Sequence, residues 1–437
     1  YRDVHLLLTD NLCISPLDYA SSGVYLIQQQ VTDKQATICA RVNLSNGTGE
    51  LRKVVLRLQV NDGKKTVYET EKEVSMIPHT DVQVEDIGFI LKNPRLWNGT
   101  QDPFMYQTVV TLIKDGKELD KVEQPLGVRY YITDPDKGFF LNGKHLPLHG
   151  VCRHQERAEG GNALYPVHHE EDTRIMLDMG VNAVRLAHYP QNEYTVRLAE
   201  RMGFLLWEEI PIWQGIDFKN TATREKAGRM IKEMVMRDKN RCSVAFWGIA
   251  NETATSTPRN EFLKHMKQCC LDIDSTRLIT AAFDLVRFNR ESRNFEMNDS
   301  IINILDMVAI NKYMGWYHDW PLAPDQAVWN VAPGKPLFIS EFGGEALYGK
   351  HGDAEVKSSW SEDYQAQLYK DNLEMFKHIP NLRGTSPWIL FDFRSPFRFH
   401  PHQGGEWNRK GLVSDQGQRK KAWYIMRDYY NQKKKEQ

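Results

Sequence analysis

The feature of the sequence that most constrains its fold is an apolar run that ends abruptly in an amide and a carboxylate. The run extends over residues 242–250 and leads directly into Asn251 and Glu252. A strand that is apolar on both faces is typical of a parallel sheet covered by helices. In a barrel of such strands, reactive groups collect where the strands end. The run therefore predicts a buried strand that delivers Glu252 to a functional rim.

Strands and helices alternate on both sides of this run. Strands are predicted at 148–151, 181–186, 204–207, 242–252, 278–282, 307–310, 337–340 and 388–391, and helices at 170–179, 193–202, 224–238, 262–273, 365–378 and 420–430. Eight strands with helical crossovers over roughly 300 residues predict a (β/α)8 TIM barrel, which we assign to residues 135–437. A doubly wound open sheet is the alternative, but the turn after the first predicted strand is not the Gly-rich phosphate turn typical of that fold.

Residues 1–134 instead show the two-residue period of half-buried strands. Apolar side chains alternate with polar ones over 38–44 and 54–60, and Asn61-Asp62-Gly63 supplies a hairpin turn. The chain starts inside a similar strand-like pattern, at residues 1–8. These patterns predict an immunoglobulin-like β-sandwich. No cluster of reactive groups occurs in it, so we expect it to act as a scaffold.

Polar side chains follow seven of the predicted barrel strands. They are Arg153 and His154, Arg185, His188 and Tyr189, Glu208 and Glu209, Asn251 and Glu252, Asn311 and Tyr313, Glu341, and Asp392 and Arg394. Ionic, aromatic and amide groups on one rim indicate a pocket for a polar ligand, and the 11 tryptophans of the chain suit a sugar. We expect Glu208 and Glu209 to pair with Arg153 and Arg185.

Glu252 and Glu341 are the sharpest catalytic candidates on this rim. Each follows an apolar strand, and the two strands are three positions apart around the predicted barrel. Two carboxylates across a pocket can perform a retaining glycoside displacement, in which one attacks the anomeric carbon while the other protonates the departing oxygen. One of the two must then be kept protonated near neutral pH by burial and by its neighbour's charge.

Composition narrows the range of partners. The 56 basic and 57 acidic residues are interspersed and leave a formal charge of -1, which gives no electrostatic reason to expect nucleic acid or a membrane surface. No apolar run reaches the roughly 18 residues needed to cross a bilayer.

The six cysteines have no metal spacing and are expected to be packing thiols. His154, His188 and Asp392 lack metal-ligand spacing, so we predict no metal and interpret the histidines as sugar contacts.

Four segments together resemble glycoside hydrolase family 2. They are residues 150–154, 182–190, 247–252 and 339–343. The resemblance covers nearly the whole chain and implies a retaining exo-β-glycosidase that needs no cofactor. It further implies that Glu252 is the acid/base, that Glu341 is the nucleophile, and that Asn251 binds the sugar 2-hydroxyl.

Two further segments are similar to those of the β-glucuronidases within this family. One is residues 311–317, which contains Tyr313 and Tyr317, and the other is the turn at residues 408–411, which contains Asn408 and Lys410. An ammonium and an amide donor near the C5 substituent of the sugar would favour a carboxylate. We therefore expect β-glucuronides as substrates, with β-galactosides as the alternative because some β-galactosidases carry similar turns. The remaining expected sugar contacts are His154, His188, Trp388 and Arg394.

Other expectations follow from the same resemblance. Family members usually begin with a jelly-roll domain that lends a loop to the site, and no such segment precedes residue 1, so we expect an incomplete pocket. Because the sequence starts in a strand-like pattern and shows no signal peptide, it does not predict the cellular compartment. A periplasmic or secreted location stays among the alternatives. Homo-oligomers are expected because members of the family commonly oligomerise. A carbohydrate-binding protein without catalysis is the alternative from another functional class.

Overall fold

The computed structural model describes residues 2–398 and 405–436, which form a β-sandwich followed by a barrel. The sandwich contains β1 Leu12–Ile14, β2 Val24–Val31, β3 Gln35–Asn46, β4 Arg52–Asp62, β5 Lys65–Met76, β6 Thr80–Lys92, β7 Tyr106–Lys114 and β8 Lys117–Leu126. In one sheet β3 pairs with β1, β2 and β6, and the other sheet has the order β5-β4-β7-β8. All of these pairings are antiparallel.

The alternation in β4 illustrates why these residues form a sandwich. Val54, Leu56, Leu58 and Val60 are all buried in the sandwich core, while the residues between them lie nearer the surface. The strand-like pattern at the start of the chain behaves differently. No strand is formed before Leu12 among the described residues, and the apolar side chains at positions 4 and 6–8 are exposed. The expectation of a strand there is wrong because no neighbouring strand in the described part of the chain pairs with this stretch.

A small antiparallel sheet links the sandwich to the barrel. It consists of β9 Tyr131–Asp134, β10 Gly138–Leu141 and β11 Lys144–His145, with β10 in the centre. Its apolar side chains close the N-terminal end of the barrel, where the rings of Phe139 and Phe246 lie 5.5 Å apart. The sheet thus caps the barrel at the end opposite to the polar rim.

Eight parallel strands close into the barrel that the sequence predicts. They are β12 Leu148–Arg153, β13 Ala183–Leu186, β14 Leu205–Glu209, β15 Val244–Asn251, β16 Leu278–Phe283, β19 Met307–Asn311, β21 Leu337–Glu341 and β22 Leu382–Thr385. Short strands on the rim are β17 Arg287–Asn289, β18 Asn294–Glu296, β20 Val328–Asn330, β23 Phe393–Arg394 and β24 Trp407–Asn408. The closing pair is β22 with β12.

Six α-helices in the described part of the chain pack around the outside of these strands. They are α1 Pro166–Met179, α2 Glu193–Met202, α3 Thr221–Asp238, α4 Thr257–Leu271, α5 Glu362–Phe376 and α6 Lys421–Lys435. Gly180 and Gly203 end α1 and α2 in the left-handed conformation that favours glycine. None of the helices within residues 2–398 and 405–436 has the length and apolar character that a bilayer crossing requires.

The eighth barrel strand is not the one that the sequence predicts. The prediction placed it at residues 388–391, whereas the structure has it at β22, a short strand that contains Arg383 and Gly384. Residues 388–391 lie beyond the end of this strand, and their main-chain N–H groups donate to Phe342, Lys410 and Cys152 in three other segments. All four of these residues are buried. Their apolar character therefore reflects a buried loop, which periodicity alone cannot distinguish from a strand.

Candidate active site

Glu341, the last residue of β21, is a buried carboxylate held by one charged and one neutral donor. Arg185 donates from Nη1 to Oε1 at 2.6 Å, and the hydroxyl of Tyr313 donates to Oε2 at 2.6 Å. Burial raises the pKa of Glu341, Arg185 opposes this rise, and the charge of Glu252 adds to it. The positive charge of Arg185 nevertheless stabilises the ionised form of Glu341.

Glu252 follows β15 directly and points into the same cavity. Its φ of 49° lies in the left-handed region, which is unusual for a residue other than glycine and is often found at functional sites. Its carboxylate accepts from Trp213 Nε1 and Gln214 Nε2 at 3.3 Å each, and from Asn311 Nδ2 at 2.9 Å. All three donors are neutral, so Glu252 has no cation among the described residues comparable to the one beside Glu341.

Asn251 is oriented by two donors that share its amide oxygen. Arg185 Nη2 donates to Oδ1 at 2.8 Å, and Asn311 Nδ2 donates to it at 3.0 Å. Asn311 is itself fixed by Ser340, whose hydroxyl donates to its Oδ1 at 2.7 Å. Because Oδ1 accepts both bonds, the Nδ2 group of Asn251 is left to donate into the cavity that this residue lines.

Arg185 connects this network to a third carboxylate. Its Nε and Nη2 atoms donate to Glu209 at 3.2 and 3.1 Å, and Nδ1 of His188 lies 2.5 Å from the same carboxylate. Burial alone would raise the pKa of Glu209, but Arg185 and His188 together lower it. Glu209 thus remains ionised and holds the guanidinium that in turn holds Glu341.

The prediction that Arg153 pairs with Glu208 or Glu209 is wrong. Arg153 donates to Asp172 at 2.7 Å, whereas Glu208 lies 3.6 Å from Arg237. Arg153 contacts helix α1 because its side chain points outward from the barrel strand. Arg185 is paired with Cys152 in the register of β12 and β13, so it points inward, to the opposite face from the adjacent Arg153.

A cluster of charged groups forms the opposite side of the cavity. Lys410 Nζ lies 2.8 Å from the Tyr317 hydroxyl and 3.2 Å from Glu345 Oε1. Arg398 donates to the same carboxylate at 2.8 Å and to the Tyr317 hydroxyl at 2.6 Å. Burial would raise the pKa of Glu345, but Lys410 lowers it, so the carboxylate stays charged. Two cations therefore face one anion at this end.

Asn408 extends this charged end, whereas Arg394 lies outside it. The side-chain oxygen of Asn408 accepts from the main chain of Lys410 at 3.1 Å, which leaves its amide nitrogen to donate toward the cavity. The main chain of Arg394 donates to Glu156 at 2.7 Å, and its guanidinium lies 5.0 Å from the ring centre of Trp407. Arg398 takes the place that the sequence suggested for Arg394.

The cavity between these groups has a volume of about 480 Å³. Its wall includes every predicted site residue except Arg394: His154, His188, Asn251, Glu252, Tyr313, Tyr317, Glu341, Trp388, Asn408 and Lys410. The rings of His188 and Trp388 are stacked with centres 5.0 Å apart, and His154 meets Trp388 edge-on at 5.1 Å. Burial and the nearby His188 lower the pKa of His154 to about 3, so it stays neutral near pH 7.

Sequence reasoning missed several residues of this wall. Trp213, Gln214 and Arg398 line the cavity although none of them directly follows a predicted strand, Asn311 lines it as a strand ending without a predicted role, and Glu345 meets Arg398 without lining the cavity itself. A larger cavity of about 670 Å³ lies at the other end of the barrel beside His149, but neither Glu252 nor Glu341 reaches it.

The arrangement suits acid/base and nucleophilic chemistry on a sugar. Glu252, Glu341, amide donors and several rings face one cavity at the carboxyl ends of the barrel strands. Within the described residues, no group of histidine, cysteine and carboxylate side chains is arranged to hold a metal ion. The fold and the site together define a TIM-barrel protein with a carboxylate-lined cavity at the carboxyl ends of its strands.

The chain belongs to glycoside hydrolase family 2. Residues 23–129 match the family described as glycosyl hydrolases family 2, and residues 132–434 match its TIM barrel domain. These matches confirm the resemblance and the fold class predicted from the sequence.

Several relatives of known name are similar to the chain. It is 41% identical to a β-glucuronidase of Bacteroides fragilis over 99% of this chain and 62% of that protein. It is 28% identical to a β-galactosidase of Thermoanaerobacterium thermosulfurigenes over 90% of this chain and 51% of that protein. A solved structure of Bacteroides uniformis β-glucuronidase 2, covalently bound to cyclophellitol-6-carboxylate aziridine, aligns with a TM-score of 0.82 at 25% identity over 97% of this chain and 52% of that one. The chain thus spans about half to two thirds of the length of these relatives.

Proposed function

We propose that the protein is a retaining exo-β-glycosidase that releases terminal β-linked glucuronic acid. The observation that carries this proposal is the pairing of Lys410 and Arg398 around Tyr317 in the wall of the cavity. The name of the Bacteroides fragilis relative and the carboxylate-bearing ligand of the Bacteroides uniformis structure support it. The domain division is part of the proposal: residues 1–134 act as scaffold, and residues 135–437 carry the chemistry. Homo-oligomers stay a prediction from the family.

In this proposal Glu341 is the nucleophile. It needs to be ionised to attack the anomeric carbon, and Arg185 stabilises that charge at 2.6 Å. The Tyr313 hydroxyl donates to the other carboxylate oxygen, which orients the attacking atom. The Nδ2 group of Asn251 is placed to donate to the 2-hydroxyl of the same sugar, a contact that strengthens in the transition state of such reactions.

Glu252 is the proton donor and later the base that activates water. The charge of Glu252 raises the pKa of Glu341. A state in which the two carboxyl groups share one proton is therefore favoured over a state in which both are ionised. Arg185 stabilises the charge on Glu341 that the nucleophile needs, whereas the donors to Glu252 are all neutral, and we therefore assign the proton-donor role to Glu252. This division of roles is the one that a retaining mechanism requires.

The charged end of the cavity favours a uronate over a galactoside. Glu345 balances one of the two cations, which leaves one positive charge for the C6 carboxylate of the sugar. A neutral hydroxymethyl group would leave Lys410 and Arg398 without that partner, and sites built for a polar contact discriminate strongly against ligands that lack it. The β-galactosidase named among the relatives makes β-galactosides the second candidate.

The test compares nitrophenyl β-glucuronide with nitrophenyl β-galactoside. We expect kcat/KM to be at least about 100-fold higher for the glucuronide, because a charge-assisted contact to the carboxylate is worth a few kcal/mol. Lys410→Gln should lower the glucuronide value about 100-fold and change the galactoside value little, so each substrate controls for the other. Faster cleavage of the galactoside would overturn the roles of Asn408 and Lys410. Sugar binding without turnover of either substrate would favour a non-catalytic carbohydrate-binding protein.

A further inference from the structure

Trp213 is a half-exposed aromatic residue in the wall of the active-site cavity. It is 50% exposed, whereas Trp388, another tryptophan of this wall, is 6% exposed and already stacks on His188. Within the part of the chain that the structure describes, no ring or cation packs on the indole of Trp213. Much of the surface of this indole is therefore available to a ligand in the cavity.

The main chain fixes the position of this tryptophan. The N–H group of Asn251 donates to the main-chain oxygen of Ile212 at 2.8 Å, and Trp213 forms an isolated parallel bridge with Asn251. Ile212 is itself buried in the barrel core. The loop that carries Trp213 is thus attached to the end of β15. Because the contact residue is ordered before a ligand arrives, little conformational entropy is lost when the ligand binds.

The indole also contacts the carboxylate of Glu252. Trp213 Nε1 and Gln214 Nε2 both donate to Oε2 at 3.3 Å, whereas Asn311 Nδ2 donates to Oε1 at 2.9 Å. Asn311 also donates to Asn251, the residue assigned to the sugar 2-hydroxyl. The two oxygens of Glu252 therefore have different neighbours: Oε1 is bonded to the network that holds the sugar, and Oε2 is bonded to Trp213 and Gln214.

The contact with Glu252 places Trp213 beside the leaving group. In the proposed reaction Glu252 protonates the departing oxygen, so the first atoms of the leaving group lie within reach of this carboxylate. The hydrogen bonds of Glu341 and Lys410, which are assigned to the sugar, involve other residues than Trp213. A side chain that touches Glu252 and takes no part in holding the sugar is expected to meet the leaving group.

We infer that Trp213 is the platform on which a ring of the leaving group packs. The ligand is an aromatic ring or the apolar face of a sugar ring, because both can cover the large apolar surface of an indole. This inference rests on the proposed function, because it takes Glu252 to be the proton donor of a β-glucuronidase. The enzyme should then prefer β-glucuronides whose leaving group carries a ring close to the departing oxygen.

The test compares three β-glucuronides, whose leaving groups are ethanol, benzyl alcohol and the 6-hydroxyl of methyl glucoside. All three are primary alcohols that need protonation by Glu252, so a difference in kcat/KM reports contacts of the leaving group. We expect about a tenfold advantage of the benzyl over the ethyl substrate, mainly through a lower KM. A similar advantage of the glucoside indicates that sugar rings pack there as well, and an advantage of the benzyl substrate alone indicates an aromatic ring.

Variants separate the ring of Trp213 from its hydrogen bond. Trp213→Ala removes both and should reduce the advantage of the benzyl substrate to about twofold or less. Trp213→Phe keeps a ring without the N–H group and should retain most of the advantage. The matched control is Gln214→Leu, which removes the other donor to Oε2 but no ring. It should change the rates of the ethyl and benzyl substrates alike. Turnover of the ethyl substrate shows that each variant is folded.

The possible failures point to different claims. Equal kcat/KM for the ethyl and both ring-bearing substrates, or an unchanged preference in Trp213→Ala, would overturn the platform while the proposed function stands. The same loss of preference in Gln214→Leu as in Trp213→Ala would trace the preference to Glu252 and would overturn the platform too. No turnover of any glucuronide alongside cleavage of nitrophenyl β-galactoside would instead overturn the proposed function and, with it, this inference.

Discussion

At the scale of single residues, Glu252 and Glu341 differ in the charge of their donors, and this difference predicts different effects of their removal. Glu252→Gln removes the proton donor, so we expect a loss of about 1,000-fold in kcat for a leaving group that needs protonation and a much smaller loss for nitrophenol. Glu341→Gln should abolish turnover of both. The measurement is kcat with phenyl and nitrophenyl β-glucuronides. Equal losses for the two leaving groups in Glu252→Gln would contradict the acid role.

His149 gives a prediction about stability rather than catalysis. It is buried at the N-terminal end of the barrel, where it stacks on Tyr430 with ring centres 4.8 Å apart, and neither ring nitrogen has a hydrogen-bond partner among the described residues. Burial and the nearby Lys434 lower its pKa to about 4. Between pH 6.5 and 4 the unfolded chain therefore binds a proton that the folded chain does not. This difference reduces stability as the pH falls.

His149→Phe removes that proton and no hydrogen bond of the side chain. We expect the variant to lose less stability than the natural protein between pH 7 and pH 4.5, by at most about 3 kcal/mol. Urea unfolding at the two pH values gives both free energies of unfolding. Because the other titratable groups are common to the two proteins, parallel dependences on pH would contradict the prediction.

At the scale of elements, the turn that carries Asn408 and Lys410 is stabilised by the buried side chain of Asp392. Asp392 accepts from the main chain of Gly411 at 2.9 Å and from Lys420 Nζ at 2.8 Å. A Cβ atom at Gly411 would overlap the main chain of Asp392. The glycine thus permits the close approach that places the Lys410 ammonium at the charged end of the cavity.

Gly411→Ala should therefore displace this turn. We expect KM for nitrophenyl β-glucuronide to rise at least about tenfold with a smaller change in kcat, because in the proposed function the displaced ammonium binds the C6 carboxylate and does not touch the reacting atoms. The matched control is Gly88→Ala in β6 of the sandwich, where a Cβ atom meets nothing within 4 Å. An unchanged KM in Gly411→Ala with an unchanged melting temperature would show that the turn does not position Lys410.

The elements also show where sequence reasoning succeeds and where it stops. The run that ends at Glu252 could be recognised because a buried parallel strand is apolar on both faces over its whole length. The eighth strand, β22, could not, because it is short and contains arginine and glycine while the buried loop after it is apolar. Arg398 and Glu345 meet through space across 53 residues of sequence, and no local pattern encodes that contact.

At the scale of the whole molecule, the sandwich is fixed to the start of the strand that delivers Glu252. Arg241, just before β15, donates to Glu200 of α2 at 2.7 Å and also contacts Gln124 of the sandwich strand β8. Asn240 donates to the main chain of Val24 at 2.7 Å. These contacts fix the start of β15 to the sandwich, and the scaffold role of the sandwich stays a prediction.

Arg241 is the residue at which this coupling can be measured. It is 2% exposed, and Arg241→Gln would leave Glu200 buried without its cation. Breaking a buried pair in this way costs about 3–5 kcal/mol. Burial already raises the pKa of Glu200, and Arg241 opposes that rise, so the variant's Glu200 should bind a proton at a higher pH than in the natural protein. The loss of stability should consequently be largest at pH 7 to 8 and should shrink as the pH falls and Glu200 is neutralised.

Calorimetry and urea unfolding at pH 7.5 and pH 5.5 test this prediction, with Arg197→Gln as the control. Arg197 pairs with Glu193 on the exposed face of α2, where such a pair is worth at most about 1 kcal/mol. Because the sandwich and the barrel share the buried contacts of Arg241, we expect the natural protein to unfold in one transition and Arg241→Gln to separate it into two. A destabilisation of Arg241→Gln no larger than that of the control, or a single transition in both variants, would mean that the sandwich and the catalytic strand are not coupled through this residue.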